Sequence, residues 1–250
     1  MDSITTTSAL AFGFVLGLRH AVEADHLAAV SAIVSERRSV LGASLLGGLW
    51  GVGHTLSLVA AAAAVILFDV RVSGRAALML EACVGVMLVA LGANALRKLA
   101  RGGRLHLHFH RHGAREHAHP HIHDEAELAR EHGAAGKTAH THHGLRFDAR
   151  TLLVGMVHGL AGSAALMLLV VSTVESRLAG LLYAAVFGVG SAGGMMLMGA
   201  LVSLPMRLTA ARFGRANTLI RGAAGLFSLG LGLVMIYEIS SDSGLFGLSR

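Results

Sequence analysis

Long apolar stretches constrain the fold of this chain more than any other feature of its sequence. Six of them, at about 5–34, 42–68, 76–99, 151–173, 178–203 and 217–238, are long enough to cross a bilayer, which takes about 20 helical residues. Backbone groups inside a bilayer must bond within their own segment, which favours helices. The sequence therefore predicts an all-α, polytopic membrane protein with six transmembrane helices.

The composition agrees with this prediction. Of the 250 residues, 54% are hydrophobic and 14% are charged, well below the charged fraction of about 25% in soluble domains. A net charge of +6 would suggest nucleic-acid binding in a soluble protein, but here the basic residues sort by loop, so we expect no nucleic-acid partner. The single cysteine, Cys83, excludes a disulfide framework and a cysteine-based zinc site. The N-terminus lacks the pattern of a cleaved signal peptide, so we expect the first apolar stretch to remain in the mature protein.

The distribution of Lys and Arg predicts the orientation. With the N-terminus outside, sixteen of them face the cytoplasm, and four face outward: Arg71, Arg75, Arg177 and Arg250. Short cytoplasmic loops are the ones enriched in Lys and Arg. We therefore expect an integral protein of the plasma (inner) membrane, with both termini outside and the polar segment 101–149 in the cytoplasm.

The two halves of the chain resemble each other. "GLRHAVEA" from Gly17 aligns with "GMVHGLAG" from Gly155, "WGVGHTLSLV" from Trp50 with "FGVGSAGGMM" from Phe187, and "EACVG" from Glu81 with "RGAAG" from Arg221. The offsets are 138, 137 and 140, although chance similarity among Gly/Ala-rich helices is an alternative for any single pair. Three spans per half would invert the second copy, as in secondary transporters with a midplane substrate site.

This duplication predicts four regions. Residues 1–100 form the first three-helix repeat, 101–149 a histidine-rich loop, 150–240 the second three-helix repeat, and 241–250 a short outer tail.

Ionisable side chains interrupt the apolar stretches, although each costs about 2.5–3.5 kcal/mol at the bilayer centre. "RHAVEADH" in the first helix carries His20, Asp25 and His26, and single histidines follow at His54 and His158. On a straight helix Asp25 and His26 lie about 140° and 240° around from His20, so one helix cannot chelate an ion alone. Neighbouring helices must complete the site, or the first helix must unwind locally.

Imidazole nitrogens with carboxylate oxygens suit nickel, cobalt, copper and zinc. We therefore predict a metal site made of His20, Asp25, His26, His54 and His158. A single histidine in a membrane helix more often makes a hydrogen bond to a neighbouring helix than binds a metal. That alternative applies to each of the four histidines taken separately. Glu23 is a secondary candidate, because it stands four residues after Arg19 and the two would pair with each other.

The polar segment holds twelve of the sixteen histidines. We expect metal buffering or handover by its alternating members, with a merely solvated linker as the alternative. These candidates are His106, His108, His110, His112, His117, His119, His121 and His123.

"RHAVEADH" resembles the signature of the nickel/cobalt transporter family, and "GVGHTLSLV" is similar to its second motif. The resemblance covers the six-helix body and implies a nickel or cobalt permease, with ligand or selectivity roles for His20, Asp25, His26 and His54. The second half lacks the acidic motif of longer members and looks like the shorter branch encoded with urease. There His158 with Ser163 would replace the acidic group, and Ser191 is a further secondary candidate.

Together these features predict a permease, not an enzyme, with Ni²⁺ or Co²⁺ as substrate and no prosthetic group. Its partners would be the bilayer, the ion and a cytoplasmic metallochaperone. Three alternatives stay open: a metal-efflux protein on the same scaffold, a transporter of another substrate, and a membrane metalloenzyme. The last fits poorly, because a zincin needs Glu directly after its first histidine and Ala21 follows His20.

Overall fold

The computed structural model describes the backbone of residues 3–35, 39–70, 72–101, 105–112, 115–122, 149–173, 176–210 and 213–242. Side chains are described for 7–35, 39–70, 72–101, 149–161, 176–210 and 213–241. The chain forms two compact units. Residues 1–95 and 148–250 make a helical body, and residues 96–147 make the second unit.

Seven helices lie in the described part of the chain. They are α1 (Ser3–His20), α2 (Ala24–Val34), α3 (Val40–Phe68), α4 (Gly74–Ala100), α5 (Ala149–Thr173), α6 (Arg177–Ala210) and α7 (Gly214–Asp242). Five of the six predicted spans correspond to one helix each, with ends displaced by a few residues. The described part is therefore helical where the apolar stretches predicted helices.

The prediction of one continuous helix over 5–34 is wrong. Helix α1 ends at His20 and α2 begins at Ala24, with Glu23 in an extended conformation (φ −62°, ψ 152°). The amides of Val22 and Glu23 bond carbonyls three residues back, at 3.0 and 3.1 Å, which closes a tight turn. Neither Pro nor Gly marks this break in the sequence. Polar side chains make local contacts at this turn: the Glu23 carboxylate lies 3.0 Å from Nδ1 of His20, and the Asp25 carboxylate accepts the backbone N–H of His26.

Four helices are long and apolar enough to cross a membrane: α3, α4, α6 and residues Gly214–Ser241 of α7. Helix α2 and the part of α5 from Ala149 to Ala161 are apolar but shorter. Each of the four has at least 27 residues, which exceeds the roughly 20 that a bilayer requires. The body of the molecule thus has the dimensions of a membrane protein.

Glycines let helix backbones touch inside the body. A Cβ atom at Gly17 of α1 would collide with the carbonyl oxygen of Phe187 in α6, and one at Gly155 of α5 would collide with that of Trp50 in α3. Gly92 brings α4 equally close to α7. Small residues at such crossings are the usual means by which membrane helices pack tightly. Gly47 of α3 meets the backbone of Met195 in α6 in the same way, so α3 lies between α5 and α6.

The core between these helices holds few large side chains. Trp50, Leu58, Leu88 and Phe187 are almost completely buried. Between α4 and α7, the Ser228 hydroxyl donates to the carbonyl oxygen of Leu88 at 2.9 Å. The buried hydroxyl thus finds an acceptor on the facing helix, as polar groups between membrane helices usually do.

The second unit contains a two-stranded antiparallel hairpin, where the sequence predicted a histidine-rich loop. Strand β1 (Leu105–His112) pairs with β2 (Arg115–Ile122). Leu105 lies opposite Ile122, and His112 lies opposite Arg115. Alternation of histidine with other residues is also the period-2 pattern of a strand, a signal that the histidine composition obscured.

Substituting Gly155 by Ala tests the close crossings. We expect Gly155→Ala to destabilise the protein by about 1–3 kcal/mol, because the methyl group must push α5 away from the α3 backbone. The matched control is Gly193→Ala, since a Cβ at Gly193 has nothing within 4 Å. Thermal unfolding in detergent should show a lower Tm for the first variant and an unchanged or slightly higher Tm for the second. Equal Tm values would contradict the backbone contact.

Candidate metal centre

Four histidines from different helices meet in the interior of the body. His20 ends α1, His26 lies in α2, His54 in α3 and His158 in α5. Their exposed fractions are 7%, 0%, 0% and 1%. The ring centroid of His26 lies 4.4 Å from that of His20, 4.2 Å from that of His158 and 5.2 Å from that of His54. The structure therefore brings together all four histidines that the sequence singled out, with His26 at the centre.

The turn between α1 and α2 makes this convergence possible. On a straight helix, His20 and His26 would lie about 240° apart and face different neighbours. The turn over Ala21 to Glu23 changes the chain direction, so both rings reach one cluster. The site uses both solutions that the sequence left open, a local break and neighbouring helices.

Asp25 joins the two halves of the chain at this cluster. One carboxylate oxygen lies 2.9 Å from Nδ1 of His26 and accepts the backbone N–H of the same residue at 2.9 Å. The other oxygen lies 2.9 Å from Nε2 of His158. The Asp25 side chain is 27% exposed, whereas both rings are buried. An ionised carboxylate only accepts hydrogen bonds, so each of these ring nitrogens carries the proton.

Glu23 binds His20 in the same way. Its carboxylate lies 3.0 Å from Nδ1 of His20, and the Glu23 side chain is 56% exposed. The expected partner was Arg19, and this prediction is wrong. The α1–α2 turn explains the difference, because it ends the helix on which Arg19 and Glu23 would have been neighbours four residues apart.

Several buried ring nitrogens have no hydrogen-bond partner among the described residues. They are Nε2 of His20, Nε2 of His26, both nitrogens of His54 and Nδ1 of His158. An unsatisfied buried polar atom costs about 1–3 kcal/mol, so a cluster of five calls for an explanation. A cation bound to the free lone pairs would supply one.

Two overlapping triads have donor atoms close enough to hold one ion. His20, His26 and His54 form the first, and Asp25, His26 and His158 form the second. Within each triad the candidate atoms lie within 4.8 Å of one another. Imidazole-rich sites of this kind suit nickel, cobalt, copper and zinc and suit magnesium or calcium poorly.

The remaining sequence candidates have different positions. Ser191 is fully buried, and its hydroxyl has no partner in the described part of the structure. The side chain of Ser163 and all of His123 lie outside the described residues. The other seven loop candidates lie in the backbone of β1 and β2.

Trp50 belongs to the centre but was not predicted as a site residue. Its ring centroid lies 5.4 Å from that of His26 and 5.3 Å from that of His158, and its indole N–H is buried without a partner among the described residues. Trp50 is the only tryptophan of the chain and stands four residues before His54, one helical turn away. That spacing was a signal for placing it on the same face as His54.

A comparison with curated proteins finds a relative along nearly the whole chain. The chain is 35% identical over 248 residues to the "Urease accessory protein UreH" of Bacillus sp. (strain TB-90), which covers 99% of both proteins. No family model matches the sequence. No solved structure matches it either.

Cobalt binding to the purified protein tests the centre. We expect His54→Ala to raise the Kd for Co²⁺ by about 10- to 100-fold, because a fully buried donor is lost; tenfold corresponds to about 1.4 kcal/mol. Leu56→Ala on the same helix, with a 55% exposed side chain, is the control. The titration uses full-length protein whose segment 101–149 carries asparagine in place of histidine, so that this segment does not bind the ion. An unchanged Kd for His54→Ala would show that the cluster is not the binding site.

Proposed function

We propose that this chain, which belongs to the nickel/cobalt transporter family and to its shorter urease-associated branch, moves nickel or cobalt ions across a membrane through the buried histidine cluster. The relative is named an accessory protein of urease. Accordingly, we propose that the ion supplied by this chain serves urease maturation. The chain acts as an integral membrane transporter, with Ni²⁺ or Co²⁺ as cargo and no prosthetic group.

The observation that carries the proposal is the set of free nitrogen lone pairs inside the apolar body. His20, His26 and His54 come from three different helices, and one ring nitrogen of each lies within 4.8 Å of the other two. Polar groups at such depth are costly and usually line a substrate pathway. A divalent ion that has lost water ligands needs other donor atoms in their place, and ring nitrogens supply them. Partly exposed carboxylates beside the buried rings would let the ion approach from water.

Contacts between the helices support the predicted six-span architecture of two inverted repeats. Under the alignment of the two halves, Gly17 corresponds to Gly155 and Phe187 corresponds to Trp50. Gly17 touches the Phe187 backbone, and Gly155 touches the Trp50 backbone, so each contact is the mate of the other. A two-fold relation between the halves requires such reciprocity, whereas chance sequence similarity does not.

Further contacts follow the same rule. Gly53 approaches Leu152 while Gly190 approaches Phe14, and Gly92 approaches Gly225 and Leu229 while Gly232 approaches Gly85 and Val89. The rings obey it too: His20 lies 5.4 Å from Phe187, and its mate His158 lies 5.3 Å from Trp50. With three spans in each repeat, the second would be inverted and the site would lie where the repeats meet.

We propose that the protein lies in the inner membrane with the orientation that the basic residues predict. Both termini are then outside, and residues 101–149 are in the cytoplasm. The end of α3 and the start of α6 support one part of it, because Asp69 and Arg177 approach to 3.8 Å and so lie on the same side. A cytoplasmic metallochaperone would then receive the ion on the histidine-rich side.

For the hairpin we propose metal buffering in the cytoplasm. Its register places His106 opposite His121, His108 opposite His119, and His110 opposite His117. Residues directly opposite in an antiparallel pair share one face, with Cβ atoms about 4.5–5.5 Å apart. Three histidine pairs in a row on one face would bind several transition-metal ions with modest individual affinity.

Radiometal flux in reconstituted vesicles tests the transport proposal. We expect His20→Ala and Asp25→Asn to abolish uptake of nickel or cobalt while the protein still inserts, because the ion loses a donor or the donors lose their alignment. Glu81→Gln, an exposed carboxylate in α4, is the control and should transport normally. Flux with and without a pH gradient, in both orientations, separates import from efflux. Wild-type flux in the two cluster variants would contradict the proposal.

Deleting residues 105–143 tests the hairpin. We expect transport to stay measurable while the metal content of the purified protein falls and the apparent affinity shifts, because the transmembrane centre stays complete. Equilibrium dialysis against Ni²⁺ gives the bound stoichiometry, and vesicle flux gives the transport rate. Complete loss of flux in a protein that inserts normally would place the hairpin in the obligatory pathway instead.

A further inference from the structure

We infer that Asp25 and Glu23 do not bind the transported ion but position the histidines that do. In this arrangement Nε2 of His20, Nε2 of His26 and a ring nitrogen of His54 hold the ion. The two carboxylates hold the opposite nitrogens of the first two rings. The inference deepens the proposed function and rests on it, since it takes the histidine cluster to be the ion site.

The hydrogen bonds of Asp25 are the first support. Its two oxygens already receive three contacts at 2.9 Å, from Nδ1 of His26, the His26 backbone N–H and Nε2 of His158. Coordinating an ion would require some of these bonds to break. The free lone pairs belong to the rings instead, because the unpartnered buried atoms of the cluster are nitrogens.

His26 and His20 each have Nδ1 close to a carboxylate. Nδ1 of His26 faces Asp25 at 2.9 Å, and Nδ1 of His20 faces Glu23 at 3.0 Å. Both carboxylates thus fix the tautomer with hydrogen on Nδ1, which leaves the Nε2 lone pair available. Both Nε2 atoms are buried and have no hydrogen-bond partner in the described residues. Metal-binding histidines commonly donate their other N–H to a carboxylate, which orients the ring and raises its basicity.

Burial separates the two kinds of residue. Side chains of Glu23 and Asp25 are 56% and 27% exposed, whereas those of His20 and His26 are 8% and 0% exposed. The negative charges therefore lie outside the ring of nitrogens and stay partly hydrated. A divalent cation with three neutral imidazoles carries charge +2, and two carboxylates one layer away balance it. This balance reduces the cost of holding the ion in an apolar body.

The arrangement also bears on selectivity. Three imidazoles without a carboxylate form a purely nitrogen donor set, which favours nickel, cobalt, copper and zinc and discriminates against the hard ions magnesium and calcium. If Asp25 bound the ion directly, the second triad with His26 and His158 would be the site, and its oxygen would weaken that discrimination.

Spectroscopy of the Co²⁺-loaded, full-length protein with asparagine in place of the histidines of segment 101–149 distinguishes the two arrangements. For Asp25→Asn we expect Kd to rise by about 10- to 100-fold, with the d–d bands and the number of bound imidazoles unchanged. Asparagine accepts one ring N–H through its amide oxygen but cannot accept the second. For Glu23→Gln, which keeps an acceptor, we expect a rise of less than about tenfold. His26→Ala should remove one imidazole from the X-ray absorption spectrum.

The control is Glu81→Gln, which should leave both Kd and spectrum unchanged. A shift of the d–d bands in Asp25→Asn, with the imidazole number retained, would show a lost oxygen ligand and overturn the inference. If Asp25→Asn does not fold, infrared difference spectra of the parent protein with ¹³C-carboxyl aspartate decide, because a carboxylate that binds Co²⁺ changes the separation of its stretching bands. Absence of Co²⁺ binding and flux in the unsubstituted protein would instead overturn the proposed function itself.

Discussion

The hydrogen bonds of the Asp25 carboxylate to His26 and His158 are the interaction on which the rest of the site depends. They join α2 to α5, and so connect the two halves of the chain through one side chain. A buried imidazole N–H that finds no acceptor costs free energy. Asp25 provides two such acceptors and leaves the remaining nitrogens free, so that one residue both stabilises the cluster and prepares it for a cation.

Close helix packing is the condition for that interaction. Helices separated by ordinary side chains lie about 8–10 Å apart, which limits how far short polar side chains can reach. Here Gly17, Gly155 and Gly159 allow backbone contact between α1 and α6 and between α5 and α3. A Cβ atom at Gly159 would collide with the carbonyl oxygen of His54. Glycines that allow close packing therefore also lie directly beside the histidine cluster. Packing and chemistry therefore use the same stretches of sequence.

Much of this could be predicted from the sequence, and the rest had physical reasons to stay hidden. The lengths of the apolar stretches predicted the helices. The ionisable residues inside those stretches predicted the candidate site residues that the structure brings together: His20, Asp25, His26, His54 and His158. The break after His20 carries no Gly or Pro, so the residues that usually mark a helix end are missing there; the turn is accompanied by polar contacts of Glu23 and Asp25, residue types that also occur inside helices. The partner of Glu23 depended on that break and was therefore missed. The hairpin is hard to predict because its alternating histidines fit both a strand and a metal-binding loop.

The backbone contacts at the glycine crossings limit how this body can change shape. Where Gly155 rests on the Trp50 carbonyl, no flexible side chain lies between α5 and α3 to absorb a shear, so small sliding displacements would drive backbone into backbone. Helices in such contact can move only together, so any change of shape in this body would be a rotation of whole helix groups.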